Sequence, residues 1–182
     1  MNFGMTAEQE QVRDVARAFA QREVAPKAKA IDEHAEFDWA LHRHLGELGF
    51  LGMTAPEAYG GAASDTVTWC IVVEEIGKAS SAVANGMTLT ESMTYYLNTL
   101  GSEAQKQEVL PALAAGSQLC AFGLTEPAIG SDAAHIETRA RRVGDRGHQR
   151  TLGSRNAYRM SAMRLATTTV IDSSRNAPWR TG

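Results

Sequence analysis

The sequence predicts a mainly α-helical N-terminal domain followed by the beginning of a β-domain. Over the first 115 or so residues, apolar side chains recur at helical spacing between capping residues and Gly or Pro stops. From Cys120 onward the apolar residues alternate instead, as they do along a strand. A chain of 182 residues with 43% hydrophobic and 21% charged residues is typical of a globular protein that buries a core. We therefore expect a helical domain over 1–116 and the first strands of a β-domain over 117–152. Residues 153–182 form an anomalous Arg-rich tail, for which disorder is one interpretation.

The first helix is predicted by a capping box in which Thr6 and Gln9 satisfy each other's free amides. Val12, Val15 and Phe19 follow at helical spacing. Pro26 is expected to end or kink this helix, because proline lacks an amide hydrogen.

A second helix is predicted to begin at Asp38 and to stop at Gly49, with Leu41, Leu45 and Leu48 in one apolar stripe. Pro56 and the pair Gly60-Gly61 indicate a loop after it.

Three further helices complete the predicted helical domain. Asp65 can cap a helix that is apolar nearly all round from Val67 to Ile76, which predicts burial on several sides. The next helix is predicted from Ser81 to Leu100. A second capping box at residues 102–105 opens a short helix that ends near residue 111 or 116.

Several polar residues could carry chemistry but receive structural interpretations. We expect His42 and His44 to be solvated, since no metal-ligand spacing surrounds them. Three helical carboxylates could in principle act as general acids or bases, but a position on the polar edge of a helix is favoured for them. They are Glu74, Glu75 and Glu91. Five side chains of the helix predicted from Ser81 to Leu100 are expected in the core, and a long apolar cleft beside this helix is kept as an alternative. They are Met87, Met93, Tyr95, Tyr96 and Leu97.

Other function classes are disfavoured. Ser131, Asp132 and His135 lie too close in sequence for a hydrolase triad, and no nucleophile elbow surrounds the serine. No glycine-rich phosphate loop is present. Neither a signal peptide nor a membrane span is indicated, and Cys70 and Cys120 lie in apolar runs, which favours free buried thiols and a cytoplasmic location.

The segment "LTEPAIGSD", residues 124–132, joins the two predicted strand regions. Pro127 fixes one dihedral angle, Gly130 permits close approach, and Thr125 and Ser131 offer hydroxyl groups. Taken by themselves, these residues fit either an ordinary strand–turn–strand connection or a cradle for a planar heterocycle with a phosphate-bearing tail.

At these residues the chain resembles the acyl-CoA dehydrogenases, whose signature has the same form. The resemblance covers about residues 5–145 in sequence order. It includes the segments "MTAEQEQVRDVARAFAQREVAPKA", "LGELGFLGMTAPEAYGG", "VEEIGKASSAVA", "LGSEAQKQEVLPALAAG" and "GSDAAHIETRARRVGD". It implies an acyl-CoA dehydrogenase-like fold, truncated here to the helical domain and the beginning of a β-barrel-type domain, with the C-terminal domain absent from this chain.

The resemblance also implies a function: FAD-dependent α,β-dehydrogenation of an acyl-CoA to the trans-2-enoyl-CoA, with electrons passing to an electron-transferring flavoprotein. The FAD-binding residues would be Phe122, Leu124 and Thr125 against the isoalloxazine, and Gly130 and Ser131 near the flavin tail, with Ser131 also contacting substrate. Glu126 and Asp132 would hold the turn. The family's usual catalytic glutamate lies in its last domain, so no catalytic residue is assigned here and we expect this chain alone to be impaired. The full-length form is expected to be a homo-oligomer, with no nucleic-acid or membrane partner.

The sequence departs from the family pattern at Ile129 and His135, which replace small residues and could crowd a ligand, and again after residue 145. Residues 1–145 hold 11 basic and 20 acidic residues, a balance of −9, whereas residues 146–182 hold seven Arg and one acid, a balance of +6; together they give −3. This change prompts the hypothesis of a shifted reading frame. Sequencing the gene tests it: an intact frame, with no family-like continuation in either other frame, would reject the hypothesis.

Two alternatives from other functional classes remain: a non-catalytic acyl-CoA-binding or interaction fragment, and a basic-tailed nucleic-acid binder.

Overall fold

The computed structural model describes residues 4–122, Thr125, and residues 130–135, 139–143, 146–150 and 168–172. The chain divides into two compact units, with one boundary between Leu119 and Cys120 and a second between Ile171 and Asp172. Each unit is described by itself.

The described part of the first unit is built mainly from α-helices. They are α1 (Ala7–Phe19), α2 (Ala25–His34), α3 (Trp39–Glu47), α4 (Thr66–Ala79), α5 (Ser81–Leu100) and α6 (Glu103–Ala114), with a 3-10 turn at Glu57–Tyr59. The predicted helical domain is confirmed.

The predicted helix starts are confirmed by their caps. The side chain of Thr6 accepts from the Gln9 amide at 3.1 Å, and Gln9 accepts from the Thr6 amide at 3.0 Å. Asp38 and Asp65 cap α3 and α4 through their carboxylates. Ser102 opens α6 with a second complete capping box. All four caps need only a polar side chain within three residues of the amide that it accepts from.

The first α-helix, expected to end or kink at Pro26, ends ahead of it at Phe19. The helical path continues past Pro26 to His34, and a single wider π turn, Ala20–Val24, lies between α1 and α2. Pro26 occupies the first turn of α2, where a missing amide hydrogen is tolerated.

The core of the first unit lies where α1, α3, α4 and α5 meet. Its buried hydrophobic members come from each of these helices and from the loop after α3, among them Phe19, Leu45, Leu51, Ile76 and Met87. α1 packs on α4, α4 packs on α5, and α5 packs on α6. Burying large apolar side chains in this way is the main stabilising term of the unit.

The predictions for the central helices are correct in part. On α4, Val72 and Ile76 are buried, but Val67 is 59% exposed, so this helix has an open side. On α5, Met87, Met93 and Leu97 are buried as expected, and Tyr95 and Tyr96 are exposed instead of buried. The buried face of α5 also contains Thr90 and Thr94.

The described part of the second unit is β-structured. β1 (Gln118–Phe122), which begins before the division, pairs with β4 (Thr168–Asp172), and β2 (Arg139–Val143) pairs antiparallel with β3 (Arg146–Arg150). A 3-10 turn, Ala133–His135, precedes β2. β4 lies within residues 153–182, where the sequence pattern predicts no element. Among the residues described in both units, no helix has the length and apolar character needed to cross a membrane.

Candidate functional site

The candidate site lies on the bend that follows β1, and the entry to β1 is held against α3. Gly116 has φ +66°, and a Cβ atom there would lie 2.6 Å from the carbonyl oxygen of His42. On the facing helix, a Cβ atom on Gly46 would lie 2.5 Å from the carbonyl carbon of Ala115. Two backbones therefore meet with no room for side chains, which positions the start of β1 relative to α3.

His42 completes this contact and is buried, not solvated as expected. Its side chain is 4% exposed, and Nε2 lies 3.4 Å from the carbonyl oxygen of Gln118. Burial lowers the pKa of His42 below its usual value. The neutral ring then donates to the carbonyl group of the first residue of β1. His44 is half-buried, with its ring edge-on to Phe19 at 5.1 Å.

The bend itself presents open polar groups in its described residues. Phe122 is the last residue of β1, and Thr125, Gly130 and Ser131 are exposed. A Cβ atom on Gly130 would meet nothing within 4 Å. Leu124, Glu126 and Ile129, for which the sequence analysis makes predictions, lie outside the described residues. The described part of the bend therefore has free space and accessible hydroxyl groups.

Asp132 and His135 form a local pair just after the bend. His135 Nδ1 lies 2.7 Å from Asp132 Oδ2, and the His135 amide donates to the Asp132 carbonyl oxygen at 3.1 Å. Both side chains are exposed. The pair stabilises the turn into Ala133–His135, as expected for Asp132.

Glu91 is a buried structural carboxylate, so its assignment to a polar helix edge is wrong. It is 6% exposed and accepts hydrogen bonds from the amides of Met53 at 3.1 Å and Thr54 at 2.9 Å, and from the Thr54 hydroxyl group. Because α5 projects this carboxylate into the loop after α3, Glu91 fixes the path of that loop.

Glu75 is likewise buried, and it lies against α1. It is 4% exposed and receives two hydrogen bonds from Arg17 and one from Lys78. The Arg17 guanidinium, helped by Lys78, lowers the pKa of the Glu75 carboxyl group to about 2. Neighbouring Glu74 has a side chain that is 65% exposed, in agreement with a polar edge. Neither Glu75 nor Glu91 is available as a proton acceptor, because cations or amides engage each carboxylate.

The cysteines differ from each other. Both are free, Cys70 is exposed, and Cys120 is buried, so the prediction of burial holds for only one of them. Burial raises the pKa of the Cys120 thiol to about 12, which makes it unreactive. Within the described ranges, no group of three or more His, Cys, Asp or Glu side chains could hold a metal ion.

Comparison with known proteins identifies the family. The model of the acyl-CoA dehydrogenase N-terminal domain matches residues 6–117, more than half of the chain. This chain belongs to the acyl-CoA dehydrogenase family. The match ends one residue before β1, so it covers all six helices of the first unit's described part, and β1 separates it from the bend.

Three similar members of the family show how much of it the chain spans. A probable acyl-CoA dehydrogenase of Bacillus subtilis is 43% identical over 80% of this chain and 38% of its own length. Butyryl-CoA dehydrogenase from Megasphaera elsdenii has a TM-score of 0.71 at 34% identity, over 80% of this chain and 39% of its own. A glutaryl-CoA dehydrogenase from Mycobacterium smegmatis in complex with FADH2 has a TM-score of 0.73 at 32% identity, over 80% and 38% of the two chains. The chain thus spans less than half the length of these dehydrogenases.

Sequence reasoning missed the buried polar residues of the family domain. A signal for Glu91 was available: it lies four residues after Met87 and three before Thr94, on the buried stripe of α5. No comparable signal exists for His42, since its burial depends on residues 116–118, which are distant in sequence.

Proposed function

We propose that this chain is the N-terminal part of an FAD-dependent acyl-CoA dehydrogenase, which oxidises an acyl-CoA thioester to the trans-2-enoyl-CoA. The observation that carries the proposal is the bend after β1. In a chain of this family, it presents the hydroxyl-bearing residues Thr125 and Ser131 in exposed positions, with open space at Gly130. A similar family member forms a complex with FADH2.

The described residues of the bend fit a flavin. A planar ring with polar edges needs hydroxyl or amide partners beside it, and a phosphate-bearing tail needs a backbone without side-chain obstruction. We assign Thr125 to the polar edge of the ring, Phe122 and Leu124 to its apolar surface, and Gly130 and Ser131 to the tail. The ring of His135 is exposed and paired with Asp132.

The chemistry divides between the cofactor and the chain. When bound, FAD supplies the acceptor for the hydride that leaves the β-carbon of the acyl group. The Ser131 hydroxyl group is assigned to both ligands, since a hydroxyl can donate to one and accept from the other. We assign no proton-abstracting base to this chain, and its buried carboxylates at residues 75 and 91 are structural.

The proposed organisation is a helical domain over 1–116, the first strands of the β-domain over 117–152 and an Arg-rich segment over 153–182. The division after Leu119 supports the first boundary. For the whole enzyme we propose an acyl-CoA substrate, an electron-transferring flavoprotein as acceptor, a homo-oligomeric state, a cytoplasmic location and no nucleic-acid or membrane partner.

Titration of the purified chain with FAD, followed by an acyl-CoA without oxygen, tests the proposal. Binding is measured by the change in flavin fluorescence, and reduction is measured by loss of the yellow absorbance. Bound flavin that bleaches with acyl-CoA indicates a complete dehydrogenase. Bound flavin that stays yellow supports the cradle and places the proton acceptor outside this chain.

Two outcomes would overturn the proposal. A colourless protein that binds acyl-CoA and not FAD is an acyl-CoA-binding module. Salt-sensitive binding to random DNA, without binding of either FAD or acyl-CoA, indicates that the Arg-rich segment binds nucleic acid.

A further inference from the structure

A cavity of about 320 Å³ opens on the helical unit between the end of α2, the start of α3 and the start of α5. This volume lies at the lower end of the range found for small-molecule sites, roughly 300–1,000 Å³. None of its lining residues belongs to the bend after β1. The cavity is therefore a second candidate binding site, distinct in its lining residues from the bend.

The floor of the cavity is apolar. Leu41 and Leu45, 3% and 1% exposed, form part of it together with Val83 from α5. Phe37 lies at the mouth, 43% exposed, with its ring 4.9 Å from Trp39 and 5.2 Å from His42. An exposed phenylalanine above an apolar floor leaves surface that an aliphatic or aromatic ligand would cover.

The rim of the cavity is acidic. Asp32, Glu36 and Asp38 line it, and none of the lining residues is Lys or Arg. Asp38 is neutralised by Lys27 at 3.0 Å and occupied by its cap on α3. Within the described ranges, neither Asp32 nor Glu36 forms an ion pair. Two carboxylates beside one apolar cavity thus have no cation partner in the part of the chain that the structure describes.

His42 gives a second reason for this cavity to favour a cationic ligand. It lines the cavity, is buried, and is uncharged at neutral pH because burial lowers its pKa. With Nε2–H directed to Gln118, Nδ1 keeps its lone pair, and it has no hydrogen-bond partner among the described residues. The cavity wall therefore offers an acceptor as well as negative charge.

We propose that this cavity binds a small organic cation, an aryl- or alkylammonium. The apolar body of the ligand lies on Leu41, Leu45 and Val83, and its ammonium group lies beside Asp32 and Glu36. Phe37 adds the electron-rich face of its ring, which attracts an ammonium group.

Benzylammonium is the probe, and uncharged benzyl alcohol is its matched neutral ligand. Binding to the full chain is measured by isothermal titration calorimetry and by ligand-detected NMR. We expect benzylammonium to bind with a Kd on the order of 1 mM or tighter and benzyl alcohol about tenfold more weakly. The difference should shrink as salt is added. Absence of saturable benzylammonium binding, or equal binding of both probes, would overturn the proposal.

Two variants locate the site. The double variant Asp32→Asn/Glu36→Gln should weaken the binding of benzylammonium about fivefold to tenfold and leave the binding of benzyl alcohol unchanged. Glu33→Gln is the control: it removes one charge, against two in the double variant, from an exposed neighbour that lies outside the cavity and pairs with Lys29 at 3.6 Å, and it should change benzylammonium binding little. If the control weakens benzylammonium binding as much as the double variant does, the ammonium group is not bound at Asp32 and Glu36.

Gly86→Leu tests the cavity itself. Gly86 lines it, and an added Cβ atom would lie 3.8 Å from the Phe37 ring, an ordinary contact, so a longer side chain extends into the cavity. Both probes should then lose binding, while circular dichroism shows a folded chain. Retained binding in folded Gly86→Leu contradicts the proposal. If this variant does not fold, the carboxylate variants decide, because their side chains are exposed and outside the core.

Discussion

Arg17 on α1 and Glu75 on α4, separated by 58 residues, form a two-point ion pair. Nε of Arg17 lies 3.1 Å from Oε2 of Glu75, and its Nη2 lies 3.0 Å from Oε1. Lys78 donates to the same carboxylate at 2.9 Å. Since the carboxylate is buried and the Arg17 side chain is 45% exposed, the pair links the inside of α4 to the surface of α1.

Replacing Glu75 by Gln should destabilise the helical unit. The substitution keeps the shape and removes the charge that receives three hydrogen bonds, at an expected cost of about 1–2 kcal/mol. Urea unfolding followed by circular dichroism measures the loss. Glu74→Gln, one residue away and exposed, is the control and should change stability by less than about 0.5 kcal/mol. Equal effects of the two variants would show that the buried pair contributes nothing specific.

The same carboxylate predicts how stability depends on pH. The pKa of Glu75 is about 2 in the folded chain and 4.5 for an ordinary Glu, so the folded state favours the charged form. Its contribution is fully present above pH 4.5 and is lost as the pH falls towards 2. The stability difference between the wild-type chain and Glu75→Gln should therefore narrow over that interval. A difference that stays constant down to pH 2 would contradict the assigned cause.

Glu91→Ala should loosen the loop after α3. It removes the acceptor for the amides of Met53 and Thr54, and Met53 is 4% exposed, so water cannot easily replace the lost partner. We expect a loss of about 2–3 kcal/mol and faster hydrogen exchange at these two amides. Glu108→Ala, an exposed glutamate on α6, is the control. Unchanged exchange at residues 53 and 54 would show that Glu91 does not hold the loop.

Two helical glycines should respond to alanine in opposite directions. A Cβ atom on Gly77 would meet only the Ala84 Cβ atom at 3.6 Å, so Gly77→Ala should stabilise α4 by about 0.5–1 kcal/mol. A Cβ atom on Gly46 would lie 2.5 Å from backbone of Ala115, so Gly46→Ala should destabilise by about 1–3 kcal/mol. Thermal unfolding of both variants checks the signs. Stabilisation by both would mean that α3 and the residues before β1 are not in direct contact.

The proposed flavin cradle predicts a loss of FAD affinity in Thr125→Val/Ser131→Ala. Each hydroxyl group removed should cost about 1 kcal/mol, which together amounts to roughly 30-fold weaker binding. Flavin fluorescence titration measures the change. Thr99→Val, at an exposed position on α5, is the control. Equal FAD affinity of the wild-type chain and the double variant would remove these hydroxyl groups from the cofactor site.

Much of the first unit was predictable because its signals are local. The caps at Thr6, Asp38, Asp65 and Ser102 depend on side chains within three residues of the amides that they bind. The change from helical to alternating spacing near Cys120 likewise places β1. The interruption near Pro26 is local as well: α1 ends at Phe19, and a wider helical turn separates it from α2, which has Pro26 in its first turn.

The sequence by itself determined the starts of the capped helices, the change from helices to strands and the family, since these depend on spacing along the chain. Only the tertiary structure decided which polar residues are buried. Glu75 meets Arg17, Glu91 meets residues 53 and 54, and His42 meets Gln118, at separations of 58, 37–38 and 76 residues. The physical reason is that the free energy of a buried charge or ring depends on partners brought close by packing, and spacing along one helix does not contain that information.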